Sequence, residues 1–165
     1  MWWLSSTWLW IPFYVFLVCV LFYKLKREAL PLVILVVLLI LCSDQLASGI
    51  IKPLFHRLRP SHNPEIESML HFVNNYRGGQ FGFISSHAMN VFSLIFYLLF
   101  VIKNRIPWLH FVLFAWAIPV AYSRIYLGVH YPSDVIVPFI NFIGKPSRAT
   151  SNYCSCQYIA WVMNA

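Results

Sequence analysis

The chain has 165 residues, of which 60% are hydrophobic and 10% are charged, and its mean hydropathy is +0.68. This composition excludes an ordinary soluble domain and is typical of an integral membrane protein. Twelve Lys and Arg residues against five Asp and Glu residues give a formal net charge of +7, which favours anionic lipid or a phosphorylated substrate as partner. Nucleic acid is not expected, because the basic residues lie in short connections between apolar runs.

The apolar runs predict an all-α fold, a multi-pass transmembrane helix bundle with four clear spans and a truncated fifth. The fifth run holds only nine residues after Asp134 before Gly144, Lys145 and Pro146, which corresponds to about half a bilayer. Tryptophans at the start of the chain resemble an aromatic belt at a membrane interface. The predicted spans are residues 8–23, 29–51, 85–102, 107–122 and 132–143.

Basic residues in the short loops predict the orientation of the bundle. Residues 24–27 and 103–105 carry Lys and Arg, and two crossings separate them, so both loops are expected on the cytoplasmic side. The polar stretch 52–81 and the loop 123–134 then share the outer face. Basic residues in these two segments are contrary to the positive-inside rule, which indicates that they have a chemical role.

The first charged cluster on that face is KPLFHRLRP, in which Lys52 and Arg59 are separated by six residues. A lysine supplies a mobile point charge and an arginine a planar fork, and together they suit an oxyanion with several equivalent oxygens. A basic patch that rests on lipid headgroups would show the same residues.

The second cluster is FGFISSHAMN, at the start of the third apolar run. Ser85 is a candidate N-cap, and the free amides of a helix start form an anion site. His87, in the first turn, could give a proton to a departing oxygen. The alternative is an interfacial histidine beside an ordinary serine cap.

The third cluster is SRIYLGVHYPSD, with Arg124 after the fourth span and His130 before the fifth. Tyr131 precedes a proline and is therefore expected to be extended, which places His130 in a turn and Asp134 in the first turn of the next helix. The carboxylate can then hold one imidazole nitrogen and leave the other more nucleophilic. Alternatively, the pair would only cap a helix.

These three elements together resemble the signature of the type-2 phosphatidic acid phosphatase superfamily: K-x6-RP, Ser-x-His at a helix start, and SR-x5-H-x3-D. The similarity covers Lys52 to Asp134, and the surroundings of the motifs are most similar to bacterial undecaprenyl-diphosphate phosphatases in the membrane branch of that superfamily. The resemblance implies a lipid phosphatase of the bacterial inner membrane with its active site on the outer face. Its partners would be a lipid phosphate or diphosphate and membrane lipids.

The resemblance also implies roles for individual residues. His130 would attack phosphorus and carry a transient phosphohistidine, Asp134 would orient it, and His87 would protonate the leaving group. No metal or other cofactor is implied, and the tail pair Cys154 and Cys156 lacks further Cys or His at zinc spacing. The residues expected to bind phosphate are Lys52, Arg59, Ser85, Ser86 and Arg124.

The sequence departs from the family pattern in two respects. Ile84 and Ser86 stand where members usually have proline and glycine around the motif serine. Members usually have six spans, so we expect a membrane-embedded domain at 1–144 that lacks the first helix of the family and most of the last, and a separate tail at 145–165. The alternatives to an active phosphatase are an inactive truncated member and a membrane protein that binds or transports lipid headgroups without chemistry.

Overall fold

The computed structural model describes residues 2–102 and 105–143. Lys103, the expected tail at 145–165 and the cysteines within it lie outside the described residues. Within them the regular secondary structure is helical, joined by irregular connections and one isolated bridge between Leu58 and Phe81, which confirms the all-α prediction. The five longer helices are α1 (Ile11–Leu25), α2 (Ala29–Gln45), α3 (Ser86–Ile102), α4 (Pro107–Tyr126) and α5 (Pro132–Ile143).

Helix α3 is the centre of the bundle, and it packs against α2, α4 and α5. Its buried side chains include Ile95, Leu98 and Ile102, which are completely inaccessible to solvent. Large apolar side chains on the outside of the bundle remain exposed, for example Phe111 at 78%. An apolar exterior around an apolar core is the pattern expected of a bundle that is surrounded by lipid.

Two helical runs among the described residues are long and apolar enough to cross a membrane, Trp8–Phe55 and Pro107–Tyr126, and the apolar helix Ser86–Ile102 is shorter. Lys26 interrupts the first run with φ 49 and ψ −116, so α1 and α2 are separate helices. The number of spans therefore stays a prediction.

Two helices extend further than the sequence suggests. Helix α2 continues through a π-helical segment, Leu46–Ile51, and a final helical turn, Lys52–Phe55, before His56 ends it in the left-handed conformation. Helix α4 reaches Tyr126 instead of ending near residue 122. Polar residues mark the end of an apolar run, but they stay helical where tertiary contacts satisfy them. As a result Lys52 and Arg124 project from helices and not from loops.

The loops that were expected on the cytoplasmic side do lie at one end of the bundle. Arg105 forms an ion pair with Glu28, although the two residues belong to different connections. Both side chains are exposed, so the pair adds little to stability. It does show that the two loops are neighbours, while Lys52, Ser86 and His130 meet at a cavity elsewhere in the bundle.

The connection between α2 and α3 is held together by backbone hydrogen bonds. The amide of Arg59 donates to the carbonyl of Gln80 at 3.0 Å, and the amide of Gly82 donates to the carbonyl of Arg57 at 2.9 Å. Short 3-10 turns at Pro60–His62, Glu67–Met69 and Val73–Asn75 fill the intervening segment. The first cluster is thereby fixed beside the start of α3.

The packing of α4 predicts how substitutions along it affect stability. Leu109 is fully buried in the core, whereas Phe111 on the same helix is exposed. We expect Leu109→Ala to lower the free energy of unfolding by about 2–4 kcal/mol, because it leaves a cavity among buried side chains. Phe111→Ala is the matched control and should change it much less. Unfolding in detergent measures both, and equal losses would contradict this packing.

Candidate active site

The three clusters predicted from the sequence converge on one cavity of about 600 Å³. Its polar wall comes from the end of the α2 run, the start of α3, the end of α4 and the loop before α5. Another part of the wall is apolar and includes Trp10, Leu94, Trp116 and Val120. The polar wall contains Lys52, Arg59, Ser86, His87, Arg124 and His130.

Lys52 is held in the wall of the cavity by the start of α3. Its Nζ donates a hydrogen bond to the Ser86 hydroxyl at 2.6 Å, and the Ser48 and Ser86 hydroxyls lie 3.1 Å apart. Lys52 belongs to the last helical turn of the α2 run, so the backbone that carries its side chain is held in a helix. The first and second clusters are therefore joined through a charged hydrogen bond.

Arg59 is buried with part of its guanidinium unpaired. Its Nε donates to the carbonyl of Phe81 at 3.1 Å, while its Nη1 has no hydrogen-bond partner in the described part of the chain. A Cβ at Gly78 would lie 2.2 Å from that Nη1, and Gly78 has a φ of +67. Glycine is thus required at this turn for the guanidinium to fit.

Arg124 supplies the third cation of the cavity. It lies in the last turn of α4 and is 3% exposed. One guanidinium nitrogen donates to the Ser5 hydroxyl, and its Nε has no partner among the described residues. Buried arginine nitrogens without partners are costly, and an oxyanion in the cavity would satisfy them.

Asp134 connects the clusters behind His130. The carboxylate is completely buried; its Oδ2 accepts the amide of Tyr131 at 3.0 Å and lies 3.5 Å from Nδ1 of His130. At that distance the carboxylate orients the imidazole electrostatically without a well-formed hydrogen bond. The backbone carbonyl of Asp134 also accepts the amide of Ser85 at 3.1 Å, which fixes the start of α3 against α5.

Burial lowers the pKa of His130 from 6.5 to about 4. The adjacent Asp134 carboxylate opposes this shift, whereas Arg59 and Arg124 reinforce it. Burial likewise lowers the pKa of the Arg59 guanidinium from its ordinary value. An imidazole that stays neutral well below pH 6 is available as a nucleophile at neutral pH.

The two serines of the second cluster differ in placement. Ser86 lines the cavity, whereas the hydroxyl of Ser85 is fully buried and lies 3.4 Å from the amide of Ala88, in the position of an N-cap. Ser85 does not line the cavity, so its phosphate-binding role stays a prediction. His87 lines the cavity in the first turn of α3.

Arg57 belongs to the site and was missed by the sequence reasoning. Its Nη1 donates to Oδ1 of Asp134 and to the hydroxyl of Ser133, both at 2.9 Å, and its guanidinium carbon lies 4.3 Å from the ring centroid of Tyr131. The only signal in the sequence is a second arginine two positions before Arg59. Its partner is 77 residues away, and a single sequence does not show that pairing.

No group of three or more His, Cys, Asp or Glu side chains that could hold a metal ion occurs in residues 2–102 and 105–143. The polar wall instead presents three cations, two histidines and hydroxyl groups. Such a set can bind an anion with several oxygens and move a proton beside it.

Comparison with known proteins identifies the family. The model of the PAP2 superfamily matches residues 32–141. The chain belongs to the PAP2 superfamily. It is 39% identical to lipid A 4'-phosphatases of Porphyromonas gingivalis, over 81% of this chain, and of Bacteroides thetaiotaomicron, over 78%. The chain spans 56% and 57% of the lengths of these two relatives.

A solved structure supports the same assignment to the PAP2 superfamily. The crystal structure of a transmembrane PAP2-type phosphatidylglycerolphosphate phosphatase from Bacillus subtilis is similar with a TM-score of 0.53 and 26% identity. The similarity covers 85% of this chain and 66% of that one. The resemblance inferred from the sequence, to the membrane lipid phosphatase branch, is thereby confirmed.

The environment of His130 predicts an unusual titration. The neutral imidazole is favoured in the folded state, so His130 contributes stability that is present above its unfolded pKa of 6.5 and is lost as the pH falls toward 4. When the histidine rings are labelled, the NMR signal of His130 is identified as the one that is missing in His130→Gln. In the unsubstituted protein this signal should titrate with a midpoint near pH 4. A midpoint at or above 6.5 would contradict the burial described here.

The Arg57–Asp134 ion pair predicts a shift of that same titration. In Arg57→Gln the carboxylate loses its cationic partner, so its charge acts more strongly on His130 and raises the pKa of the imidazole. Arg77→Gln is a matched control in the same connection, because Arg77 pairs with Glu67 and not with Asp134. An unchanged His130 midpoint in Arg57→Gln would show that the pair does not tune the imidazole.

Proposed function

We propose that this chain carries the active site of a membrane lipid phosphatase, a hydrolase that releases phosphate from a lipid through a phosphohistidine intermediate. The observation that carries the proposal is the meeting of Lys52, Arg59 and Arg124 with His130 in one cavity, with Asp134 behind the imidazole. The matched relatives support the same class of reaction, since their names describe phosphatases of lipids.

The proposed chemistry starts at His130. Because Nδ1 lies toward Asp134, Nε2 is the nitrogen that attacks phosphorus. The bond between phosphorus and the lipid oxygen breaks, and His87 gives a proton to that oxygen, so the lipid leaves as an alcohol. Water then attacks phosphorus and gives a proton to His87 while the bond between phosphorus and His130 breaks, so inorganic phosphate is released and both histidines return to their starting states.

The cations of the cavity stabilise the transition state of both steps. In phosphoryl transfer the charge is spread over the three equatorial oxygens. The unpaired Nη1 of Arg59 and Nε of Arg124 are available donors, and Lys52 can exchange its hydrogen bond to Ser86 for one to phosphate. Donors that are already in place act without reorganisation at the moment of reaction.

The substrates to be compared follow from the relatives and from the sequence. The names of the relatives point to phosphate monoesters of lipid A and phosphatidylglycerophosphate. Undecaprenyl diphosphate, which the motif surroundings favour, remains a prediction and belongs in the same panel. We likewise propose that the chain lies in the bacterial inner membrane with the cavity on the outer face. The support is the positive-inside rule, because the basic residues of the short loops lie at the end of the bundle away from the cavity.

The proposal predicts phosphate release by the purified chain in detergent with EDTA present. His130→Gln should lower the rate by about 10³-fold or more, because the nucleophile is lost. His71→Gln, an exposed histidine of the α2–α3 connection, is the matched control and should retain activity. With a substrate labelled at phosphorus, an acid-labile label should become attached to the unsubstituted protein and not to His130→Gln.

Other outcomes separate the alternatives. Binding of lipid phosphates without turnover would favour a headgroup-binding protein. Neither binding nor turnover by a chain that is folded in detergent would favour an inactive member of the superfamily.

A further inference from the structure

A helical turn that precedes the first long helix lies in the wall of the cavity. This turn, Trp2–Ser5, packs against α4, and its residues Leu4 and Ser5 line the cavity. The turn belongs to none of the three charged clusters, and it lies outside the range 32–141 that the superfamily model matches. Its place in the site is therefore not predicted by the motifs. We name Trp2–Ser5 the N-terminal turn.

Hydrogen bonds and ring contacts fix the N-terminal turn against the bundle. The indole Nε1 of Trp10 donates to the carbonyl of Leu4 at 2.8 Å, and the amide of Ser6 donates to the carbonyl of Trp3 at 3.0 Å. Trp10 in turn packs edge-on against Trp116 of α4, with ring centroids 5.9 Å apart. The turn thus has a defined position beside α4.

The hydroxyl of Ser5 holds one end of the Arg124 guanidinium. Nη1 of Arg124 donates to this hydroxyl, whereas Nε has no hydrogen-bond partner in residues 2–102 and 105–143. In a guanidinium group Nε and Nη2 form one edge of the planar fork, and Nη1 lies outside that edge. The contact with Ser5 therefore does not occupy the edge that can bind two oxygens of a phosphate side by side.

Tyr76 borders the same guanidinium from the α2–α3 connection. The guanidinium carbon of Arg124 lies 6.0 Å from the centroid of the Tyr76 ring, at the outer limit of a cation–π contact. Tyr76 also lines the cavity, and the ring of Trp2 packs edge-on against it with centroids 5.2 Å apart. The N-terminal turn therefore reaches the guanidinium twice, directly through Ser5 and indirectly through the two rings.

The partners of Arg124 leave its charge available. Arg124 is 3% exposed, and no carboxylate forms an ion pair with it in the part of the chain that the structure describes. A hydroxyl and an aromatic ring hold a guanidinium without neutralising it, whereas a carboxylate would compete with phosphate for the same charge. A side chain that is held before phosphate binds also loses less conformational entropy on binding.

We infer that Ser5 and Tyr76 are positioning residues of the active site, which hold the guanidinium of Arg124 in the orientation that binds phosphate and leave its positive charge uncompensated. This inference rests on the proposed function and adds the N-terminal turn to the parts of the chain that the reaction requires. Trp2 contributes by supporting the ring of Tyr76.

The first test measures phosphate release from farnesyl phosphate, a lipid monophosphate, in detergent. Ser5→Ala should lower kcat/KM about tenfold, as expected for the loss of a hydrogen bond to a charged group. Tyr76→Leu should lower it about three- to fivefold, and Tyr76→Phe should restore most of that loss, because it keeps the ring. Unchanged kcat/KM in both Ser5→Ala and Tyr76→Leu would overturn the inference.

Two matched controls accompany these variants. Ser6→Ala removes the neighbouring hydroxyl, which does not line the cavity, and Tyr126→Leu removes an exposed ring from the last turn of α4 that is likewise absent from the cavity wall. Neither control should change kcat/KM. A loss in Ser6→Ala equal to that in Ser5→Ala would assign the effect to folding of the turn.

A double-substitution experiment separates positioning from folding. If Ser5 and Tyr76 act through Arg124, then Ser5→Ala and Tyr76→Leu should cause no further loss of kcat/KM once Arg124→Ala is present. Losses of the same size in both backgrounds would overturn the inference, because a residue that only stabilises the fold acts whether or not the arginine is there.

Failure of the proposed function gives a different result, because the unsubstituted chain would then release no phosphate from farnesyl phosphate. Binding of orthovanadate, a phosphate analogue, decides the inference in that case and is measured by calorimetry in the same detergent. Weaker binding in Ser5→Ala and Tyr76→Leu, with no further weakening when Arg124→Ala is added, supports the positioning role. Absence of binding, or equal affinities of these variants and the unsubstituted chain, overturns it.

Discussion

The site depends on the burial of one carboxylate, that of Asp134. A buried charge is tolerated only when partners compensate it, and removal of a single partner is strongly destabilising. Here the partners come from separate parts of the chain: Arg57 from the first cluster, and the amide of Tyr131 and the imidazole of His130 from the third. The backbone carbonyl of Asp134 holds Ser85 of the second cluster. Formation of this centre therefore brings the three segments together.

The centre also sets the state of the nucleophile. Burial lowers the pKa of the His130 imidazole to about 4; Arg59 and Arg124 reinforce this shift, and Asp134 opposes it. Arg57, which does not line the cavity, neutralises part of the carboxylate. Burial and the cations thus keep His130 uncharged while Asp134 orients it, and Lys52, Arg59 and Arg124 can attract an anion.

Much of this site could be predicted from the sequence because its residues lie in short motifs with characteristic spacing. Lys52, Arg59, His87, Arg124 and His130 were all expected, and all line one cavity. The role of Arg57 could not be predicted, since it depends on a contact across 77 residues. The sequence analysis ended two helices before Lys52 and Arg124. Both residues are helical in the structure, because tertiary partners satisfy their polar side chains.

The cavity changes from cationic at one end to apolar at the other, and this gradient bears on the direction of the proposed reaction. Inorganic phosphate is strongly hydrated, whereas the dephosphorylated lipid alcohol partitions into hydrocarbon. The two products would therefore depart toward different phases, the anion to water and the alcohol to the bilayer. Their dilution into separate compartments makes their re-encounter in the cavity rare, so hydrolysis would proceed without a dedicated step that prevents its reversal.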